Sequence, residues 1–287
     1  MPLSDLDGMN SDASLQFVER PYGVRIAWRE RGEGPLVVLA NQFFGLWTLF
    51  EELLDDLARD HRVVHYYLRG TGASTRRGPY DLDTDAADLA ALIERTGQPA
   101  LVLAFADGCN RAVRVAAVRP ELVTAVVSPA GNPVGEQALE NTDALAASEG
   151  VLQALVGMMT TDYRGALRTM VSTANPDWDE ERVKQRVTAT VEVCPQEASL
   201  PRLKAWIADD AAEQAQTLGD RLWLLEDGTN PWFTLEVARQ TRSILPDAHI
   251  LEVEDGAISR PDITAGVIRS LTAEGAAVGS ERREQAF

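Results

Sequence analysis

The densest group of reactive side chains in this 287-residue sequence is the run Ala104-Phe105-Ala106-Asp107-Gly108-Cys109, which leads into a helical pattern. A helix N-terminus favours negative charge, so Asp107 reads as dipole compensation or, with apolar neighbours raising its pKa, as a general acid or base. Cys109 would lean toward thiolate in that turn, although cysteine in a small-residue helix against a sheet usually serves packing. Ahead of them, Asn41 and Gln42 carry amides able to orient a carbonyl or hydroxyl, or simply to brace a loop. Three histidines, His61, His65 and His249, complete the set, and none follows His249. The two cysteines, Cys109 and Cys194, form no C-x-x-C pair. There is no P-loop, no G-x-G-x-x-G fingerprint and no metal-ligand spacing, so neither cofactor nor metal is expected.

The elements that must position these groups follow from periodicity. Residues 15–19 and 24–29 read as strands around Tyr22-Gly23, and the continuous apolar run 36–40 suits a strand buried on both faces. Helix and strand then alternate: helix 46–58, strand 62–67, helix 83–95, strand 100–105, helix 109–118, strand 123–127. Residues 135–218 have helical periodicity and no convincing strand. Alternation resumes with strand 221–226, helix 235–244, strand 250–253 and helix 261–271. The expectation is an α/β fold with a mostly parallel sheet: core 15–134 and 219–272, a helical cap 135–218, and flexible ends at 1–14 and 273–287.

With 27 basic and 44 acidic residues the net charge is -17, which opposes nucleic acid or an anionic membrane as partner. The N-terminal stretch has no apolar targeting core and no run reaches a membrane span. Few cysteines and no leader point to the cytoplasm.

Two motifs carry a resemblance. Arg69-Gly70-Thr71-Gly72-Ala73-Ser74 follows a buried strand, and Ala104-Phe105-Ala106-Asp107-Gly108 sits where the next strand turns into a helix. In these the chain resembles the α/β-hydrolase-fold superfamily with a helical cap, from about residue 15 to 271. In that family the pattern G-x-S-x-G presents a nucleophile on a strained turn. The resemblance puts Ala106 at that position, and a methyl group cannot attack a carbonyl. It puts Asn230, before Pro231-Trp232, at the acid position and the neighbourhood of Ala257 at the histidine position, so all three triad positions are substituted. It implies that the amides of Gln42 and Asp107 polarise a carbonyl, that the Asp107 carboxylate faces the cleft floor, and that Phe43, Phe44 and Trp232 are apolar walls. Of the cap's large residues, Met158, Met159, Tyr163, Met170, Trp178 and Trp206, most would form its core and some a pocket.

The expected function is therefore a non-hydrolytic enzyme acting on a small, largely apolar substrate by cyclisation, isomerisation or elimination, in a natural-product setting. Asp107 is its expected acid or base. Asn41, Gln42 and Asn230 would orient the substrate, with Ala106 and Ala257 beside it. The alternative is a catalytically silent pseudo-hydrolase that binds a small ligand or a protein. A small-molecule partner is expected, and the oligomeric state stays open, a homodimer included.

Overall fold

A computed structural model describes residues 15–44, 50–140, 143–174, 177–227, 235–253 and 260–284. Strands β1 (Gln16–Arg20) and β2 (Val24–Arg31) form a hairpin turning at Tyr22 and Gly23, both with positive φ. They are followed by β3 (Leu36–Ala40), α1 (Glu51–Leu57), β4 (Arg62–Tyr66), α2 (Leu82–Thr96), β5 (Ala100–Ala104), α3 (Asp107–Val118) and β6 (Val123–Pro129). Next come α4 (Asp143–Thr161), α5 (Tyr163–Ala174), α6 (Glu180–Val193), α7 (Gln196–Ile207) and α8 (Ala212–Gln216). The chain closes with β7 (Leu222–Asp227), α9 (Leu235–Ile244), β8 (His249–Val253) and α10 (Pro261–Glu284).

The eight strands make one sheet in the order β1-β2-β4-β3-β5-β6-β7-β8. The pairings of β2 with β1 and with β4 are antiparallel, and the rest are parallel. Alternation along each strand explains the continuous apolar runs. Val38, Val102 and Val126 face Leu89 and Leu92 of α2 and Val113 of α3, whereas Val37, Leu39 and Leu101 face Leu53, Leu54 and Leu57 of α1 and Ile268 of α10. A strand covered on both faces has no polar side to show.

The motif 69–74 is the turn that lets the chain leave β4. Gly70 (φ 81) and Gly72 (φ 47) adopt left-handed backbone, and a Cβ on Gly72 would lie 2.2 Å from the Tyr67 ring. Ser74 Oγ donates to the Tyr67 carbonyl at 2.8 Å and accepts from the Ala27 amide at 2.9 Å. Arg69 reaches Asp88 of α2 with two bonds of 2.9 and 2.8 Å.

Helices α4 to α8 lie between β6 and β7, and their own apolar cluster includes Met159, Tyr163, Leu167, Val183, Val187 and Leu203. The cap is tied to the core by a dry ion pair. Arg202 of α7 donates to both oxygens of Asp85 of α2 at 2.5 and 2.8 Å, and to the Arg69 carbonyl at 2.7 Å, with both side chains fully buried.

The last helix runs on to Glu284, whereas periodicity put its end at residue 271. Residues 272–284 carry no apolar stripe to mark the extension in the sequence. Residues 1–14 lie outside the described part. No helix among the described residues is long and apolar enough to cross a membrane.

Candidate functional site

Strand β5 ends at Ala104 and α3 begins at Asp107, so the reversal is made by Phe105 and Ala106 alone. Ala106 takes φ 47 and ψ -122, a conformation that a side chain disfavours. Gly108 allows the helix to sit against β3, for a Cβ there would lie 2.0 Å from the Ala40 carbonyl oxygen. On the other flank Ser128 Oγ donates to the Ala104 carbonyl at 2.9 Å. These contacts hold a strained strand-to-helix turn whose central side chain is a methyl.

Asp107 departs from expectation. Its carboxylate is fully buried instead of facing a cleft: Oδ1 accepts the Phe43 amide at 2.9 Å and Oδ2 accepts Arg111 Nη1. Arg111, also fully buried, donates through Nη2 to the Asn41 carbonyl. The cause is helical spacing, because residues four apart on a helix are neighbours, so Arg111 lies beside Asp107. Burial pushes the Asp107 carboxyl up, against the opposing pull of Arg111 and the Phe43 amide. Sequence reasoning missed Arg111, although the Asp-x-x-x-Arg spacing was there to be read.

The loop after β3 is braced from this pair. Asn41 is buried, its Oδ1 accepts the Gln42 amide at 2.8 Å, and its Nδ2 has no partner among the described residues. The Gln42 amide, expected to polarise a carbonyl, is thus engaged locally. Phe43 and Phe44 lie 4.3 Å apart between ring centroids and pack into the cap's apolar cluster, Phe43 also standing 6.3 Å from Trp206. Cys194 at the end of α6 donates to the Phe44 carbonyl. The two rings therefore anchor the cap to the core, since this loop lies directly beneath it. Of the cap residues, Met159 and Tyr163 are buried in that cluster and Met158 is exposed.

Three expected site residues, Asn230, Trp232 and Ala257, lie outside the described residues. His249 stacks on Trp223 at 4.0 Å at the start of β8, a packing role. His61 bonds Asp60 and Thr272 at 2.7 and 2.9 Å, away from the elbow. His65 is buried on β4, and burial, with the charges of Arg31 and Arg29, lowers its pKa to about 3. Cys109 is fully buried, and burial likewise pushes its thiol up to about 12, away from thiolate.

One cavity of about 60 Å³ lies beside α3, between Asn110, the crossover 130–139 and the end of α7 at Trp206 and Ile207, with Leu152 and Val237 closing it. Its 130–139 wall also approaches the elbow, for a Cβ on Gly131 would lie 2.9 Å from the Ala106 carbonyl oxygen. Asn110 and Asp209, which line it, were not singled out from sequence, because the contact joins α3 to a residue distant in the chain.

The sequence profile of the alpha/beta hydrolase fold matches residues 35–182. Over 116 residues, 40% of this chain, the sequence is 33% identical to polyketide synthase ThaQ of Burkholderia thailandensis, and the match spans 6% of that protein's length. Among solved structures, the fold is similar to that of an esterase from Exiguobacterium antarcticum (TM-score 0.76, 16% identity, 89% of this chain and 98% of the other). It is also similar to E-2-(acetamidomethylene)succinate hydrolase (TM-score 0.70, 17% identity, 90% and 98%). The eight-stranded sheet, the strand-to-helix turn at Ala106 and a profile match over more than half of its length establish that this chain belongs to the α/β-hydrolase fold family.

Proposed function

We propose that this chain uses the family's scaffold without covalent catalysis, as a non-hydrolytic, cofactor-free enzyme acting on a small, largely apolar organic molecule by cyclisation, isomerisation or elimination. The observation that carries this reading is Ala106, held at φ 47 where the family's turn presents a nucleophile. A methyl group cannot form an acyl intermediate. Asn230 at the acid position and the lack of any histidine after His249 extend the reading to a triad substituted at all three places. Steps of these kinds need a shaped, dry site and one or two polar groups. Asn41, whose buried Nδ2 has no partner among the described residues, supplies a donor for a substrate oxygen, and Gln42, Asn230, Trp232, Ala257 and the Ala106 methyl complete the surroundings. Asp107 is the nearest ionisable group; to exchange a proton it must release Arg111, and until then it acts as a positioning residue with Phe43 and Phe44. The 33% identity over 116 residues to a polyketide synthase supports a setting in natural-product biosynthesis, and the scarcity of cysteines supports the cytoplasm.

A second reading, a catalytically silent binder of a small ligand or a protein, is favoured by one observation: both Asp107 oxygens and the Gln42 amide are engaged within the chain. Native mass spectrometry after incubation with small-molecule extract of the source cells separates the two. Release of a captured molecule as an isomer of equal mass supports the enzyme, and release unchanged supports the binder. Cleavage of p-nitrophenyl esters faster than buffer would remove both in favour of hydrolysis.

A further inference from the structure

We propose that the cavity between α3, the crossover 130–139 and the end of α7 is a binding site for a small, neutral aliphatic molecule bearing a hydroxyl group. Asn110 lines the cavity and is 2% exposed. Its Nδ2 donates to Asp209 Oδ2 at 2.7 Å, which fixes the amide's orientation, since only the nitrogen can donate to a carboxylate. Its Oδ1 is left buried with no partner among the described residues. An unpaired buried acceptor is costly, and a ligand hydroxyl would satisfy it.

The charges select against ions. Asp209 lines the cavity but is engaged by Arg114, through Nη1 at 2.9 Å and through Nη2, as well as by Asn110. It therefore calls for no added cation, and no basic side chain stands among the lining residues to receive an anion. Asn132, also in the lining, is engaged by donating to Thr241 Oγ1 at 2.9 Å and accepting the Val134 amide at 3.0 Å, and the larger remaining walls are apolar: Val134, Leu139, Leu152, Ile207 and Val237, with Trp206. At roughly 10–15 Å³ per water-sized position, the cavity's about 60 Å³ holds about four to six non-hydrogen atoms. That is a short alcohol, or the hydroxylated end of a longer chain. A ligand here would touch both the segment that enters the cap and the one that leaves it.

The test is calorimetric titration of the intact protein with four probes: 1-pentanol, its isomer butyl methyl ether, pentanoate and pentylammonium. The expected result is saturable binding of the alcohol with Kd of about a millimolar, about five-fold tighter than the ether, which cannot donate, and no binding of pentanoate. Leu139→Trp should weaken the alcohol about ten-fold or more by filling the space, with Val237→Phe as substitute should the first variant not fold. Absence of saturable alcohol binding overturns the proposal, as does equal binding of the ether, tighter binding of either ion, or indifference to both filling substitutions. The readout is binding and not turnover, so the result is independent of whether the elbow is catalytic.

Discussion

Asp107 and Arg111 share a space from which water is excluded, so neither can lose the other cheaply. Asp107→Asn would keep the acceptor for the Phe43 amide but turn an NH₂ group toward the guanidinium, leaving an uncompensated buried cation. The expected loss is about 3–5 kcal/mol in urea unfolding, and a loss under about 1 kcal/mol would mean that the pair is not dry. His65 makes a different demand. Its pKa in the folded protein, about 3, lies below the ordinary 6.5, so below pH 6.5 the unfolded chain takes up a proton that the folded one refuses. Stability is therefore full above about pH 6.5 and drains as the pH falls toward 3, with a slope approaching about 1.4 kcal/mol per pH unit for one proton. Between pH 6.5 and 5, before most carboxylates titrate, His65→Leu should flatten that slope.

At the scale of elements, the elbow depends on how closely α3 approaches β3. Gly108→Ala would drive a methyl into the Ala40 carbonyl, and neither backbone can yield without moving the sheet. A loss of about 3 kcal/mol or more is expected, measured by thermal unfolding, whereas Gly97→Ala at the end of α2, where a Cβ would meet no atom within 4 Å, tests only the cost of its positive φ. The same elements show where the sequence was legible. The runs 36–40 and 100–105 declared buried strands because both faces of the sheet are covered, and the turn 69–74 declared itself through its glycines. The site was less legible. The burial of Asp107 followed from a partner on its own helix, yet its hydrogen bond to Phe43 crosses from α3 to a loop, and nothing in local periodicity encodes that. Phe43 and Phe44 could be recognised as apolar, but not as members of the cap's core, since the cap's packing partners lie more than a hundred residues away. The end of α10 was missed for the opposite reason: beyond residue 271 the sequence carries no apolar stripe.

Across the whole molecule, the net charge of -17 repels itself in the compact state. Raising salt from about 10 to about 200 mM shortens the screening length from about 30 to under 10 Å and should raise the melting temperature; no change would mean that local ion pairs already neutralise the field. The pair of Arg202 with Asp85 is screened far less, because both partners are buried. Arg202→Met should leave Asp85 an unpaired charge and loosen the seam, read as faster amide hydrogen exchange in α7 and α2 than in β3 and β5. That seam also governs how the protein can be taken apart by an engineer. A transplanted cap without an arginine in the place of Arg202 would strand the Asp85 carboxylate inside the host when α4 to α8 are exchanged as a cassette. A workable chimera has to carry that arginine or replace α2 along with the cap, which makes the exchangeable module larger than the inserted segment that defines it in the sequence.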